Sequence, residues 1–129
     1  MFNKVGGIVP DSYGLSLTVF AQDATSENPV KAGTPLKFAT TGAYHAKKAA
    51  ADDAIVMTAK HTVTSKDAPL GVHVYGYSRN AEFPYSGSIA IGDPVAADGN
   101  GGVKKAAAAN GSYVYLVNST KKTVEVLLP

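Results

Sequence analysis

The stretch His45-Ala46-Lys47-Lys48-Ala49-Ala50-Ala51-Asp52-Asp53-Ala54 decides how this chain is read. Its Ala and Lys give it high helix propensity, and propensity alone makes it a helix. An internal repeat argues the other way. Ala32-Gly33-Thr34-Pro35-Leu36-Lys37-Phe38 is echoed by Ile91-Gly92-Asp93-Pro94-Val95-Ala96-Ala97, each with Gly, a small polar residue, Pro and an aliphatic. A turn follows (Thr41-Gly42 in one copy, Asp98 to Gly102 in the other), then a Lys-Lys-Ala-Ala-Ala string starting at Lys47 and at Lys104. A β-rich run closes each copy, Ala54 to Ala59 and Ser112 to Val117, and the alignment needs only a two-residue gap.

A repeated hairpin makes physical sense of this pattern. Gly supplies a backbone conformation that other residues avoid. Pro fixes φ and lacks an N–H, so it suits the first residue of a strand. Asn110-Gly111 interrupts any helix after the second alanine string, and Asp52-Asp53 turns the first copy by analogy. Two units of about 58 residues imply a pseudo-symmetric domain rather than a solenoid, which needs three or more repeats.

The rest of the chain also reads as strands. Apolar residues alternate in Leu15-Ser16-Leu17-Thr18-Val19, in Val72-His73-Val74-Tyr75-Gly76-Tyr77 and in Val124-Glu125-Val126-Leu127-Leu128. Ile55-Val56-Met57 and Tyr113-Val114-Tyr115-Leu116-Val117 are β-branched or aromatic runs suited to strands buried on both faces. Asn28-Pro29 and Asp67-Ala68-Pro69 mark loops. The expected architecture is all-β, with room for one short helical turn. It is a small pseudo-symmetric barrel or sandwich forming a single domain over residues 15–129. Residues 1–14 hold Gly6-Gly7, Pro10 and Gly14 and read as a flexible N-terminal arm.

Composition excludes several classes of function. The 129 residues contain no Cys, which rules out a disulfide scaffold, a thiolate zinc site and a thiol nucleophile. Net charge is +2 and only one of the twelve basic residues is Arg, so nucleic acid is not an expected partner. No apolar run approaches the roughly 20 residues that span a bilayer, and Met1 to Gly7 lack a signal-peptide pattern. The expectation is a soluble chain made in a reducing cytoplasm. Of its hydrophobic residues, twenty are Ala, so large core formers are scarce and a partner surface is anticipated.

A search for chemistry finds little. His45, His61 and His73 show no metal-ligand spacing and read as two turn residues and one outward-facing strand residue. Asp52-Asp53 and Asp98-Gly99-Asn100-Gly101 lack the regular oxygen ligands of a calcium loop. Ser86 has no partner His or Asp in a recognisable order, and no phosphate-binding loop is present. No catalytic residue, metal or cofactor is assigned. The tyrosines are more informative: Tyr75, Tyr77, Tyr85, Tyr113 and Tyr115 cluster around expected strands, as residues of a contact surface or as caps of a small core.

The order of Gly33-Thr34-Pro35-Leu36, Ile55-Val56-Met57, Ile91-Gly92-Asp93-Pro94-Val95, Gly102-Val103-Lys104-Lys105 and Val124-Glu125-Val126-Leu127 resembles the capsid decoration (cement) proteins of tailed bacteriophages, the lambda-type head-stabilising proteins and their relatives. The likeness covers roughly residues 30 to 129. It implies a non-enzymatic, β-rich virion protein on the outer surface of the expanded head, assembled in the bacterial host cytoplasm. It further implies the major capsid protein as partner and a homotrimer on the capsid, with no role for membrane. In the lambda type an N-terminal arm gains order by adding a strand to capsid loops. Here that role falls to Phe2, Val5, Ile8, Val9 and Pro10, and protomer contact to Tyr75, Tyr77 and Tyr85. The Leu15-to-Phe20 strand departs from the pattern, because pairing within the domain shortens the arm. The alternative is a receptor- or carbohydrate-binding adhesion or head-fibre domain stacking sugars on the same three tyrosines.

Overall fold

The structure, a computed structural model, describes residues 15–77 and 81–129, which form ten strands and no helix. The five residues of the arm named above lie outside these. Strands β1 (Leu15–Ala21), β2 (Pro35–Phe38), β3 (His45–Lys48), β4 (Met57–Ala59) and β5 (Leu70–Val74) close into a mixed barrel in the order β1-β3-β2-β4-β5. The deciding stretch is therefore extended over His45–Lys48 and turns at Asp52, whose φ is +72°. Edge pairing overrides its helix propensity: Lys37 opposes Lys47 and Phe38 opposes Ala46 across β2–β3, while Ala21 aligns parallel with Ala46.

The second half repeats this plan with β6 (Ala81–Pro84), β7 (Val95–Ala97), β8 (Val103–Lys105), β9 (Tyr113–Asn118) and β10 (Thr123–Leu127). Here β6-β10-β9 form one sheet and β7-β8 another. A parallel bridge between Tyr85 and Val103 joins them on one side. On the other, Gly92 N–H donates to Val114 O at 2.7 Å and Val114 N–H to Asp93 O at 3.0 Å.

Several hydrogen bonds recur in both halves. Gly33 N–H donates to Ala59 O (2.8 Å) as Gly92 does to Val114. Ala49 N–H donates to Pro35 O (3.0 Å) as Ala106 does to Pro94 O (2.9 Å). Gln22 N–H donates to Ala46 O (2.8 Å) as Ser86 does to Val103 O (3.0 Å). Gly33 and Gly92 both hold positive φ, +84° and +94°, at the turn that delivers the chain to its proline. The duplication thus extends beyond the hairpin to all five strands, pairing β1 with β6 and β5 with β10 in role.

Each half has its own core. Val19, Val30, Leu36, Met57, Leu70 and Val72 fill the first together with Ala21, Ala46 and Ala59. Phe83, Val95, Val103, Val114, Val124 and Val126 fill the second. A five-stranded barrel has a narrow interior, and small side chains let it close, which accounts for part of the alanine content. Ala49 and Ile55, from the chain between β3 and β4, belong to the second core although they precede it by a full repeat.

Two expectations need correction. Ile55-Val56-Met57 is not a strand: β4 starts at Met57, and Ile55 turns away into the other core. Nor is β9 buried on both faces, since Tyr113 and Leu116 are 48% and 46% exposed. The register shift between Glu125 and Val126 accommodates Tyr115 as an extra residue, a β-bulge.

Candidate functional site

The polar side chains are mostly engaged within the fold. Asp53 accepts from Lys37 Nζ at 2.5 Å and from the Ala50 N–H at 2.9 Å. The Lys37 hydrogen bond, then the Ala50 N–H, hold its carboxyl below the usual carboxylate range. Asp52 pairs with Lys104 at 2.8 Å, and Asp93 with Lys105 at 3.7 Å. Lys37, Lys104 and Lys105 thus serve contacts within the fold.

The histidines do not converge. His45 starts β3, not a turn, and its Nδ1 shares a hydrogen bond with Thr41 Oγ1 at 2.7 Å. His61 Nε2 accepts the Gly71 N–H at 3.1 Å, and His73 lies half-buried in β5. Among the described residues no three His, Asp or Glu are grouped to hold a metal. Ser86 Oγ donates to Asp98 Oδ2 at 3.3 Å, but Asp98 also accepts the N–H groups of Asn100 and Gly102, as an acid that organises its own turn. A cleft of about 320 Å³ opens between the loop at Glu27 to Lys31 and the hairpin tip at Gly99 to Gly101.

The three tyrosines named for protomer contact fall in different settings. Tyr75 is half-buried, edge-on to Phe83 with ring centres 6.5 Å apart, and shares a hydrogen bond with Thr58 at 2.8 Å. Tyr77 is 56% exposed, yet its hydroxyl is tied to Gly111 O at 2.6 Å. Tyr85 is half-buried under the Lys122 ammonium, 5.5 Å from the ring centre. Tyr75 and Tyr77 help join the two halves, since Phe83 and Gly111 belong to the second.

The exposed apolar surface lies elsewhere. Tyr113 and Leu127 oppose each other across β9–β10, and Leu116 lies further along the same pair. The Tyr113 ring also lies over Gly92, next to Ile91, which is 63% exposed. The corresponding positions of the first half, Thr58 and His73, are polar, and Thr58 is buried. This apolar face is therefore particular to the second repeat. A second group, Phe38 and Tyr44, projects at the β2–β3 hairpin. Sequence reasoning named Tyr113 among the contact-surface tyrosines but missed Ile91, Leu116 and Leu127 beside it, and missed the Phe38 and Tyr44 group.

Tyr115 is the perturbed group of the β9–β10 face. Burial pushes its hydroxyl up to about 12, and the nearby Glu125 and Glu82 carboxylates add to the shift. Those two glutamates face each other directly across β6–β10.

No protein-family model matches the chain, and no curated protein matches it.

Proposed function

We propose that this protein decorates the head of a tailed bacteriophage, binding the major capsid protein on the outer surface of the expanded shell and reinforcing it. Action by contact fits the distribution of side chains. The observation that carries the reading is the apolar face of Ile91, Tyr113, Leu116 and Leu127 on the second half of a small duplicated β domain. Exposed apolar groups of this kind mark protein–protein surfaces. The Gly-Pro-aliphatic segments behind the resemblance are also the joints of both repeats. The adhesion alternative has less to work with, because Tyr75 and Tyr85 are half-buried and engaged.

Mixing the purified chain with matching empty expanded shells, followed by electron microscopy, tests the proposal. Extra density on the outer surface is expected, and bare shells at saturating protein would refute it. Deleting residues 1–12 is expected to abolish binding while the strand content, by circular dichroism, stays intact. Extended arms gain backbone hydrogen bonds at open sheet edges, and several arms acting together offset their ordering entropy.

A further inference from the structure

The duplication shows how one copy of this unit binds another. The connection between β3 and β4 of the first repeat is the donor, and the β7–β8 hairpin of the second is the receiver. Asp52 N–H donates to Ala97 O at 2.9 Å, and Ala97 N–H donates to Asp53 O at 3.0 Å. Ile55 enters the second core, and Ala51 packs so closely on Gly99 that an added Cβ there would lie 3.2 Å from its nitrogen. Two different surfaces meet, so the junction is head-to-tail rather than two-fold.

Among the described residues, such a junction leaves one receiver unfilled and one donor unused. The unfilled receiver is the β2–β3 hairpin. Phe38 stands in Ala97's register position and is 46% exposed; β4 pairs only with Pro35 and Leu36, so it does not cover this edge. Tyr44 stands in Gly101's position, is 61% exposed and keeps the positive φ, +57°, for which the second repeat uses glycine. A bulky residue in that conformation is strained, and strain of this kind collects at functional surfaces. The unused donor is the connection between β8 and β9, where Ala107, Ala108 and Ala109 are exposed. Its two ends are fixed, since Ala106 N–H bonds Pro94 O and Asn110 Nδ2 bonds Val95 O at 2.8 Å, while Ala109 does not share the positive φ of Asp52.

We propose that a second copy of this chain fills the gap: the Ala107–Ala109 connection of one protomer docks on the Phe38 and Tyr44 edge of the next. The contact continues the internal junction without repeating its ion pair or its Ile55 anchor, because Ala109 replaces Asp52 opposite Lys47 and Ile55's place is taken by Ser112, which is buried against Val95. Association is therefore apolar and only weakly dependent on salt. The rotation between repeats determines whether the series closes into a ring. None of this requires the shell reading.

The absence of cysteine allows a direct test. Phe38→Cys and Ala108→Cys variants of the full chain are oxidised separately and as a mixture, then run on non-reducing gels. Disulfide-linked dimer is expected in the mixture alone, and a ladder or a closed multimer from the double variant. Linkage of either single variant with itself, or none in the mixture, would overturn the proposal. Sedimentation velocity of the unaltered chain should show concentration-dependent association. Tyr44→Gly should weaken that association about tenfold or more without lowering the thermal midpoint, since the second repeat folds with glycine there. Unchanged association in Tyr44→Gly, or a unaltered chain monomeric at every concentration, would equally count against it.

Discussion

Tyr115 illustrates what a half-buried hydroxyl beside two carboxylates does to the pH response. Its folded value of about 12 lies above the ordinary value of 10.0, so the folded chain holds this proton more tightly than the unfolded chain. The resulting stabilisation is fully present below pH 10 and is lost as pH rises toward 12. Tyrosinate absorbance should therefore show a late ionisation near pH 12 that is lost in Tyr115→Phe, and the variant's stability should fall less steeply across that window. Gly102 makes a different point, because here space rather than backbone angle requires glycine. A Cβ would lie 2.5 Å from Pro84 O, at the seam between β6 and β8. Gly102→Ala is expected to destabilise by about 1–3 kcal/mol, the usual range for overpacking. Gly76, with nothing within 4 Å of its Cβ position, should accept Ala with a change under about 0.5 kcal/mol. Urea melts of the two variants make the comparison.

At the scale of elements, the connection between β3 and β4 settles how much of the fold was legible. The Gly-x-Pro starts of β2 and β7 were readable because turn chemistry constrains them narrowly: only glycine takes their positive φ without strain, and proline cannot sit deeper in a sheet. The match of β1 with β6 and of β5 with β10 was not. Their inward positions need only apolar volume, so Val19 becomes Phe83 and Leu70 becomes Val124 with no trace in the letters. The exposed faces were hidden for a related reason. In Tyr113-Val114-Tyr115-Leu116 every residue suits a buried strand, and only the bulge and the register show that Val114 alone is enclosed. Asp52 was read as a turn residue, but its partner Lys104 lies a repeat away. That pair is largely exposed and adds about 0–1 kcal/mol, whereas the +72° φ is a firmer requirement. Asp52→Asn, which tolerates the left-handed region, should therefore lose less than about 1 kcal/mol. Asp52→Val should lose about 1–3 kcal/mol. Equal losses in thermal melts would show that charge, not backbone, governs the turn.

For the whole molecule, the question is whether two halves with separate cores, a closed barrel and a pair of small sheets, behave as one folding unit. Topology alone suggests two, since among the described residues every ladder joins strands of the same half. The junction argues for one. Ile55 is 5% exposed and clusters with Val95, Val126 and Leu128, while its near neighbour Met57 is sealed in the first core. Two positions separate the residues, so the chain cannot release one without pulling on the other. Tyr75 strengthens the link by packing on Phe83 while sharing a hydrogen bond with Thr58. Opening the first barrel therefore withdraws Ile55 and Tyr75 from the second and leaves a void there. Ile55→Ala should cost about 2–5 kcal/mol, as other buried Ile truncations do. The location of the loss distinguishes the two cases. If the halves are coupled, native-state hydrogen exchange will accelerate in β7 and β10 as well as in β2 and β4, and urea unfolding will remain a single transition. Acceleration confined to the second half, whose core loses the side chain, with a biphasic melt, would mean that the repeats fold independently and that the junction only docks two finished halves.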